Sequence, residues 1–108
     1  MARILTPEEI TRQVADLTGW RHEGESLVAA YTSPTFPAAI ALVDEAAEAA
    51  EEMQHHPDID IRWTTTLWTL STHSAGSAGG LTQLDIELAH RIADAAHRGG
   101  ATAEEAAS

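Results

Sequence analysis

Apolar residues recur along this chain at two different spacings, and the alternation between the two predicts its elements. In three stretches they stand three and four positions apart, as on one face of an α-helix. Elsewhere apolar and polar residues alternate, as in a strand with one buried face. In chain order, the predicted elements are a helix from residue 7 that stops at Gly19, strands at 20–22 and 27–32, a helix at 38–54, strands at 59–63 and 66–72, and a helix from the Thr82 cap to Arg98.

Two of these helices begin with a recognisable capping sequence. Thr6 precedes Pro7 and stands three residues before Glu9, and Thr82 stands three residues before Asp85. A hydroxyl followed at this distance by an acidic side chain can satisfy the free N–H groups of a first helical turn. The capping role alone therefore explains an acidic residue at position 85, without any catalytic function.

The order of the elements is α-β-β-α-β-β-α, and this order predicts an α+β fold. Three helices packed on one face of a four-stranded antiparallel sheet satisfy it. Residues 1–98 form the predicted domain. Residues 99–108 begin with Gly99-Gly100 and contain no large apolar residue, so we expect a disordered C-terminal tail.

Composition narrows the classes of function. The formal net charge of the 108 residues is −11, which disfavours direct binding to nucleic acid. The chain contains no cysteine, and neither a signal peptide nor a membrane-spanning segment is expected, so the predicted location is the cytoplasm. Alanine supplies much of the apolar fraction. A core this thin in a small domain predicts burial against further copies of the chain, as a homodimer or homotetramer.

Candidate chemistry is concentrated between the last helical turns before Pro57 and the end of the fourth strand. Glu51 and His55 lie one helical turn apart, so we expect them to share a face, and His56 should be extended because it precedes a proline. His73 follows the last predicted strand. Imidazoles near a helix C-terminus can cap carbonyl groups, bind zinc or iron together with a carboxylate, or transfer protons.

The joint spacing of these residues resembles the pterin-4a-carbinolamine dehydratase family. The chain has Glu51, three residues, His55-His56-Pro57, five residues, Trp63, nine residues and His73, with Asp85 further on. The resemblance extends from about residue 6 to residue 96. It agrees with the α+β layout, and it implies that these groups bind a pterin without a metal.

The resemblance implies a hydro-lyase that converts 4a-hydroxytetrahydropterin to quinonoid dihydropterin and water, in support of an aromatic amino acid hydroxylase and tetrahydrobiopterin recycling. No cofactor is implied. The catalytic residues would be His55, His56 and His73, with His55 and His73 as the acid/base pair. The pterin-binding residues would be Glu51, His55, His56, His73 and Asp85, with Glu51 orienting a histidine.

Two further features remain open at the level of sequence. The same scaffold could act without catalysis, as a dimerisation cofactor for a transcription factor or as an assembly chaperone. Ser74-Ala75-Gly76 is repeated as Ser77-Ala78-Gly79, which makes the connection from His73 to Asp85 about three residues longer than the resemblance implies. Trp63 is expected in the core rather than beneath a substrate.

Overall fold

The computed structural model describes residues 3–73 and 79–104, and it confirms the predicted α+β architecture. Its elements are α1 (Pro7–Val14), β1 (Arg21–Glu23), β2 (Ser26–Thr32), α2 (Phe36–Met53), β3 (Asp58–Arg62), β4 (Thr65–Leu70), α3 (Gln83–Arg98) and β5 (Thr102–Ala103). Both predicted capping boxes are present, at Thr6 with Glu9 and at Thr82 with Asp85. No helix in the described ranges is long and apolar enough to cross a membrane.

The sheet is antiparallel, with strand order β1-β2-β4-β3. Along β4 the burial alternates, with Thr66, Trp68 and Leu70 inside and Leu67 and Thr69 on the other face. This alternation follows the period of two that the sequence predicts. Thr72 continues the inward set beyond the strand and forms a bridge with Gly80, so the end of β4 is held beside the chain that enters α3.

The core lies between the inward face of the sheet and the three helices. Its centre is formed by large side chains of β2, β4 and α3, including Leu27, Trp68, Leu70, Ile86 and Ile92, all at most 1% exposed. The long helix α2 contributes mainly alanines to this core. Burial of apolar area is the main favourable term in folding, and α2 therefore contributes less per residue than α3.

The first helix is about one turn shorter than predicted. It ends at Val14 rather than near Gly19, because the amides of Asp16 and Leu17 bond to carbonyls three residues back. Such i→i+3 bonds tighten the end of a helix into a turn. Gly19 then adopts a positive φ of 89° before the chain enters β1.

The prediction of a disordered tail from residue 99 is wrong for residues 99–104. Thr102 and Ala103 pair with Thr32 and Tyr31, and the amide of Glu104 donates to the carbonyl of Ala30 at 2.8 Å. The unpaired end of β2 offers these backbone groups, and a polar sequence can satisfy them without large apolar residues. Residues 105–108 lie outside the described part of the chain.

Trp63 is not in the core of this chain, contrary to expectation. It occupies the turn between β3 and β4 with a φ of 56°, and 78% of its surface is exposed. The strand alternation placed it on the inward face with Ile59 and Ile61, but β3 ends one residue earlier, at Arg62. A left-handed backbone at the turn reverses the direction of the side chain and removes it from the strand pattern.

Candidate active site

The two adjacent histidines point in different directions because α2 ends in a left-handed residue. Gln54 has a φ of 52°, and the amides of Gln54 and His55 donate to the carbonyls of Glu51 and Ala50 at 3.2 and 3.0 Å. This pair of bonds is the Schellman ending of a helix. It turns His55 inward, where it is buried, and leaves His56 exposed.

His55 contacts the first turn of α3. Its Nε2 lies 2.6 Å from Oδ1 of Asp85, and the two residues are 8% and 0% exposed. A distance this short, at a buried position, is typical of a hydrogen bond with a charged partner. The last turn of α2 and the first turn of α3 are thus connected through a histidine and a carboxylate.

The second oxygen of Asp85 accepts two further hydrogen bonds. The hydroxyl of Thr72 donates to Oδ2 at 2.7 Å, and the backbone amide of Thr82 donates to the same atom at 2.9 Å. The hydroxyls of Thr72 and Thr82 are 2.9 Å apart, and both side chains are buried. A buried carboxylate is stable when its oxygens have hydrogen-bond partners, and here two donors and the ring of His55 converge on it.

Glu51 pairs with His56, the second of the two adjacent histidines. Its Oε2 lies 2.6 Å from Nε2 of His56, and both side chains are largely exposed. The prediction that Glu51 and His55 share one face is wrong, because the helix ends between them and the left-handed Gln54 rotates the following chain. The expectation that Glu51 orients a histidine agrees with the contact to His56.

His73 lies in the turn directly after Thr72 and is exposed. Its backbone position is set by the bridge between Thr72 and Gly80, whose amides and carbonyls exchange bonds of 2.9 and 3.2 Å. Its side chain has no hydrogen-bond partner among the described residues. The predicted Ser-Ala-Gly repeat occupies positions 74–79, and positions 74–78 lie outside the described part of the chain.

Four of the five predicted site residues therefore form two histidine and carboxylate pairs, and the fifth, His73, is exposed. His55 with Asp85 and His56 with Glu51 are direct pairs, and among the described residues His73 has a hydrogen bond to neither. Each pair joins an imidazole to a carboxylate, which is an arrangement that orients a ring for proton transfer. In residues 3–73 and 79–104 no group of three or more acidic or histidine side chains converges as a metal would require.

Two threonines of the site were not predicted from the sequence. Thr72 and Thr82 both supply donors to the Asp85 network. The capping box had indicated Thr82, and the alternation along β4 had placed Thr72 on the buried face. A buried hydroxyl needs a partner, and this requirement was the available signal that Thr72 faces a polar group.

Comparisons with known proteins show what the chain is similar to. Residues 3–95 match the family model described as "Pterin 4 alpha carbinolamine dehydratase". A relative from Nocardia farcinica, named "Putative pterin-4-alpha-carbinolamine dehydratase", is 53% identical over 82% of this chain and 90% of its own length. A relative of the same name from Roseiflexus sp. (strain RS-1) is 47% identical over 85% of this chain and 96% of its own length.

A solved structure from Brucella melitensis, described as a transcriptional coactivator/pterin dehydratase, is also similar. Its TM-score is 0.81 at 29% sequence identity, and the match covers 87% of this chain and 99% of the other. The likeness in fold thus includes most of this chain.

Proposed function

Because the chain belongs to the pterin-4a-carbinolamine dehydratase family, a family of hydro-lyases, we propose that His55, His56 and His73 dehydrate a 4a-hydroxytetrahydropterin. In this reaction the bond between C4a and its hydroxyl breaks, N5 loses its proton, and the electron pair of that N–H bond forms the C=N bond of the quinonoid product. The hydroxyl group gains one proton and leaves as water. The observation that carries the assignment is the buried contact between His55 and Asp85.

The elimination needs an acid at the departing hydroxyl and a base at N5. We assign these roles to His55 and His73, and a pterin-binding role to His56. His55 directs Nε2 at Asp85, so Nδ1 is the nitrogen that remains for proton exchange with the substrate. His73 is exposed in the turn that follows β4, and we assign it the second transfer.

The two carboxylates receive different roles in this proposal. Asp85 is fully buried and its oxygens are engaged, so we assign it to orienting His55 rather than to direct contact with the pterin. Glu51 is exposed beside His56, and a carboxylate there can accept hydrogen bonds from the N–H groups of a pterin ring. The sequence predicts that both residues bind the substrate. We propose that role for Glu51 alone, and for Asp85 we propose the orientation of His55 instead.

The direct test is a turnover assay with the carbinolamine generated in situ by an aromatic amino acid hydroxylase. The substrate also dehydrates without a catalyst, so the measured quantity is the acceleration above that background. Addition of a chelator should leave this acceleration unchanged, because the imidazoles act on protons. Turnover equal to the background would remove the proposal, and activity lost with stoichiometric zinc or iron would replace its mechanism.

We further propose that the chain forms a homodimer or homotetramer through α2. The buried side of that helix consists of small residues and Leu42, while a second apolar stripe remains at least partly exposed. The residues of this second stripe are Phe36, Ile40, Val43 and Ala47. Their spacing of four, three and four is that of a seam between two packed helices.

Light scattering tests this assembly. A dimer or tetramer is expected for the wild type, and Ile40→Asp should shift the mass toward 11.5 kDa because a charge would be buried in the seam. Arg12→Asp on α1 is a control at a position away from the stripe, and it should leave the mass unchanged. A wild-type mass of one chain at micromolar concentration would contradict the proposal.

A second candidate function is protein binding on the same scaffold. The similar protein from Brucella melitensis is described as a transcriptional coactivator as well as a pterin dehydratase. Such a role would use the exposed stripe of α2 and would not require the histidines. Loss of turnover in a His73→Ala variant that still binds a partner would separate the two functions.

We also propose that the protein is cytoplasmic, as the sequence predicts.

A further inference from the structure

Thr72 stands at the centre of a chain of hydrogen bonds behind His55. The amide of Leu84 donates to the hydroxyl of Thr82 at 3.3 Å, and that hydroxyl lies 2.9 Å from the hydroxyl of Thr72. The hydroxyl of Thr72 then lies 2.7 Å from Oδ2 of Asp85, whose Oδ1 faces His55. Apart from the partly buried Leu84, every member of this chain is at least nine-tenths buried.

The direction of each bond follows from the number of protons available. A threonine hydroxyl has one proton, and an ionised carboxylate has none. Because Thr72 donates its proton to Asp85, the proton between the two threonines must come from Thr82. Thr82 can give it because its own oxygen accepts from Leu84.

This direction fixes the proton on His55. Oδ2 of Asp85 is occupied by the donors from Thr72 and Thr82, so the carboxyl group is the acceptor in both of these bonds. Oδ1 then acts as an acceptor, so Nε2 of His55 must carry the proton of this bond. In the neutral imidazole the lone pair consequently lies on Nδ1.

We propose that Thr72 is a positioning residue, whose hydroxyl keeps Asp85 an acceptor and thereby holds His55 as the Nε2–H tautomer. This inference deepens the proposed dehydration and rests on it for its kinetic consequence. The tautomer decides whether Nδ1 can accept a proton from the substrate. Thr72 also precedes His73 directly, so one residue sets the tautomer of one proposed catalytic histidine and the backbone position of the other.

A matched set of three variants separates the hydroxyl from the volume of the side chain. Thr72→Val keeps the shape and removes the donor, Thr72→Ser keeps the donor, and Thr69→Val makes the same exchange on the outer face of β4. We expect Thr72→Val to lower kcat by about 10-fold with KM within about twofold, because the loss of one hydrogen bond to a charged group corresponds to a factor of about that size in rate. Thr72→Ser and Thr69→Val should remain near the wild type.

Nitrogen-15 spectra of the histidine rings supply a readout that does not depend on turnover. In the wild type the ring of His55, assigned by its loss in His55→Gln, should show the Nε2–H pattern. Thr72→Val should give a mixture of tautomers, and Thr72→Ser should restore the single pattern. An Nδ1–H pattern in the wild type overturns the inference even if Thr72→Val fails to fold.

The remaining outcomes also test whether the hydroxyl of Thr72 positions His55. A single Nε2–H pattern together with wild-type kcat in a folded Thr72→Val would show that the hydroxyl positions nothing. An equal loss of kcat in folded Thr72→Ser would show that side-chain shape, and not the donor, is what matters. If the wild type has no turnover but the tautomer responds as expected, the dehydration fails and the positioning role of Thr72 stands.

Discussion

Two histidine and carboxylate pairs lie side by side in this chain, with the same separation and different surroundings. His55 and Asp85 are 2.6 Å apart with side chains 9% and 0% exposed, and His56 and Glu51 are 2.6 Å apart with side chains 61% and 72% exposed. Water screens the second pair and lets both side chains move, whereas the first is held by its surroundings. The distance within a pair therefore does not by itself determine how much the pair stabilises the fold. Burial and the number of further hydrogen-bond donors also determine it.

The buried pair gains its rigidity from one hydrogen bond within the cap of α3 and one from a residue 13 positions away, after β4. Asp85 receives hydrogen bonds from Thr72 after β4 and from the backbone at the start of α3. The carboxylate of Glu51 contacts one imidazole, five residues away. We infer that His55 presents one nitrogen in one direction, while His56 can adjust to a ligand. Rigid orientation suits proton transfer, and adjustable contacts suit binding.

The largest expected effect separates the two histidines by their kinetics. His55→Gln keeps a donor that can reach Asp85 and removes the titratable ring, and it should lower the catalysed rate by about 10²- to 10⁴-fold, as should His73→Ala. His56→Ala should act mainly through KM. Steady-state rates above the uncatalysed background provide the measurement. A rate loss in His56→Ala as large as in His55→Gln would contradict the assignment of the buried pair to proton transfer and of the exposed pair to binding.

A double variant sharpens the same point. If His55 and His73 act on two ends of one elimination, His55→Gln/His73→Ala should lose less than the product of the two single losses. Circular dichroism should show that each protein remains folded. Losses that multiply fully would indicate that the two imidazoles act in separate steps.

The next effect is on stability, and it compares the two carboxylates. Asp85→Asn removes a buried charge that accepts three hydrogen bonds, and it should lower the free energy of unfolding by about 2 to 3 kcal/mol. Glu51→Gln should change it by less than about 0.5 kcal/mol, because exposed ion pairs contribute little. Urea unfolding at neutral pH measures both. Similar losses for the two variants would show that burial does not distinguish the pairs.

A third effect uses Tyr31, which is buried like Asp85 but titrates at high pH. Burial raises the pKa of the Tyr31 hydroxyl, with a partly opposing hydrogen bond from Trp20 Nε1 at 2.8 Å and a small addition from the charge of Asp94. The folded state therefore holds this proton more tightly than the unfolded state. Its contribution to stability is complete below the unfolded pKa of about 10 and is lost as the pH rises through the folded value.

This loss can be assigned to one group. Tyr31 is the single tyrosine, and all six basic side chains are arginines, so few other groups titrate between about pH 9 and 12. The wild type should lose stability in that range, and Tyr31→Phe should not. Tyrosinate absorbance of the folded protein gives the pKa directly. A midpoint at or below that of free tyrosine would contradict the assignment.

The smallest effect concerns a partly exposed carboxylate at the other end of the chain, that of Glu9. The hydrogen bond from Arg3, the backbone amide of Thr6 and the positive charge of Arg3 lower the pKa of Glu9 to about 2. The stabilisation is present above the unfolded pKa of Glu9 and disappears as the pH falls from about 4.5 toward 2. Glu9→Gln should reduce the dependence of unfolding on pH in this window only slightly. A large reduction would show that a pair at the surface can contribute as much to stability as a buried one.

Local patterns in the sequence were sufficient to predict the three helices and the strands β1 to β4, although not β5, and they indicated the candidate residues. The capping boxes at Thr6 and Thr82, the alternation along β4 and the helical spacing of α2 depend on contacts between residues close in sequence, and the structure confirms all of them. The joint spacing of Glu51, His55 and His73 indicated the family, and the comparisons confirm it.

The partners of these residues were decided by tertiary structure. One left-handed residue, Gln54, sends His55 to Asp85 and His56 to Glu51, and no periodic pattern indicates such a reversal. The turn at Trp63 likewise removed that side chain from the core. Thr72 joined the site only because β4 and α3 meet there, and a pairing between segments distant in the chain depends on how whole elements pack rather than on local spacing.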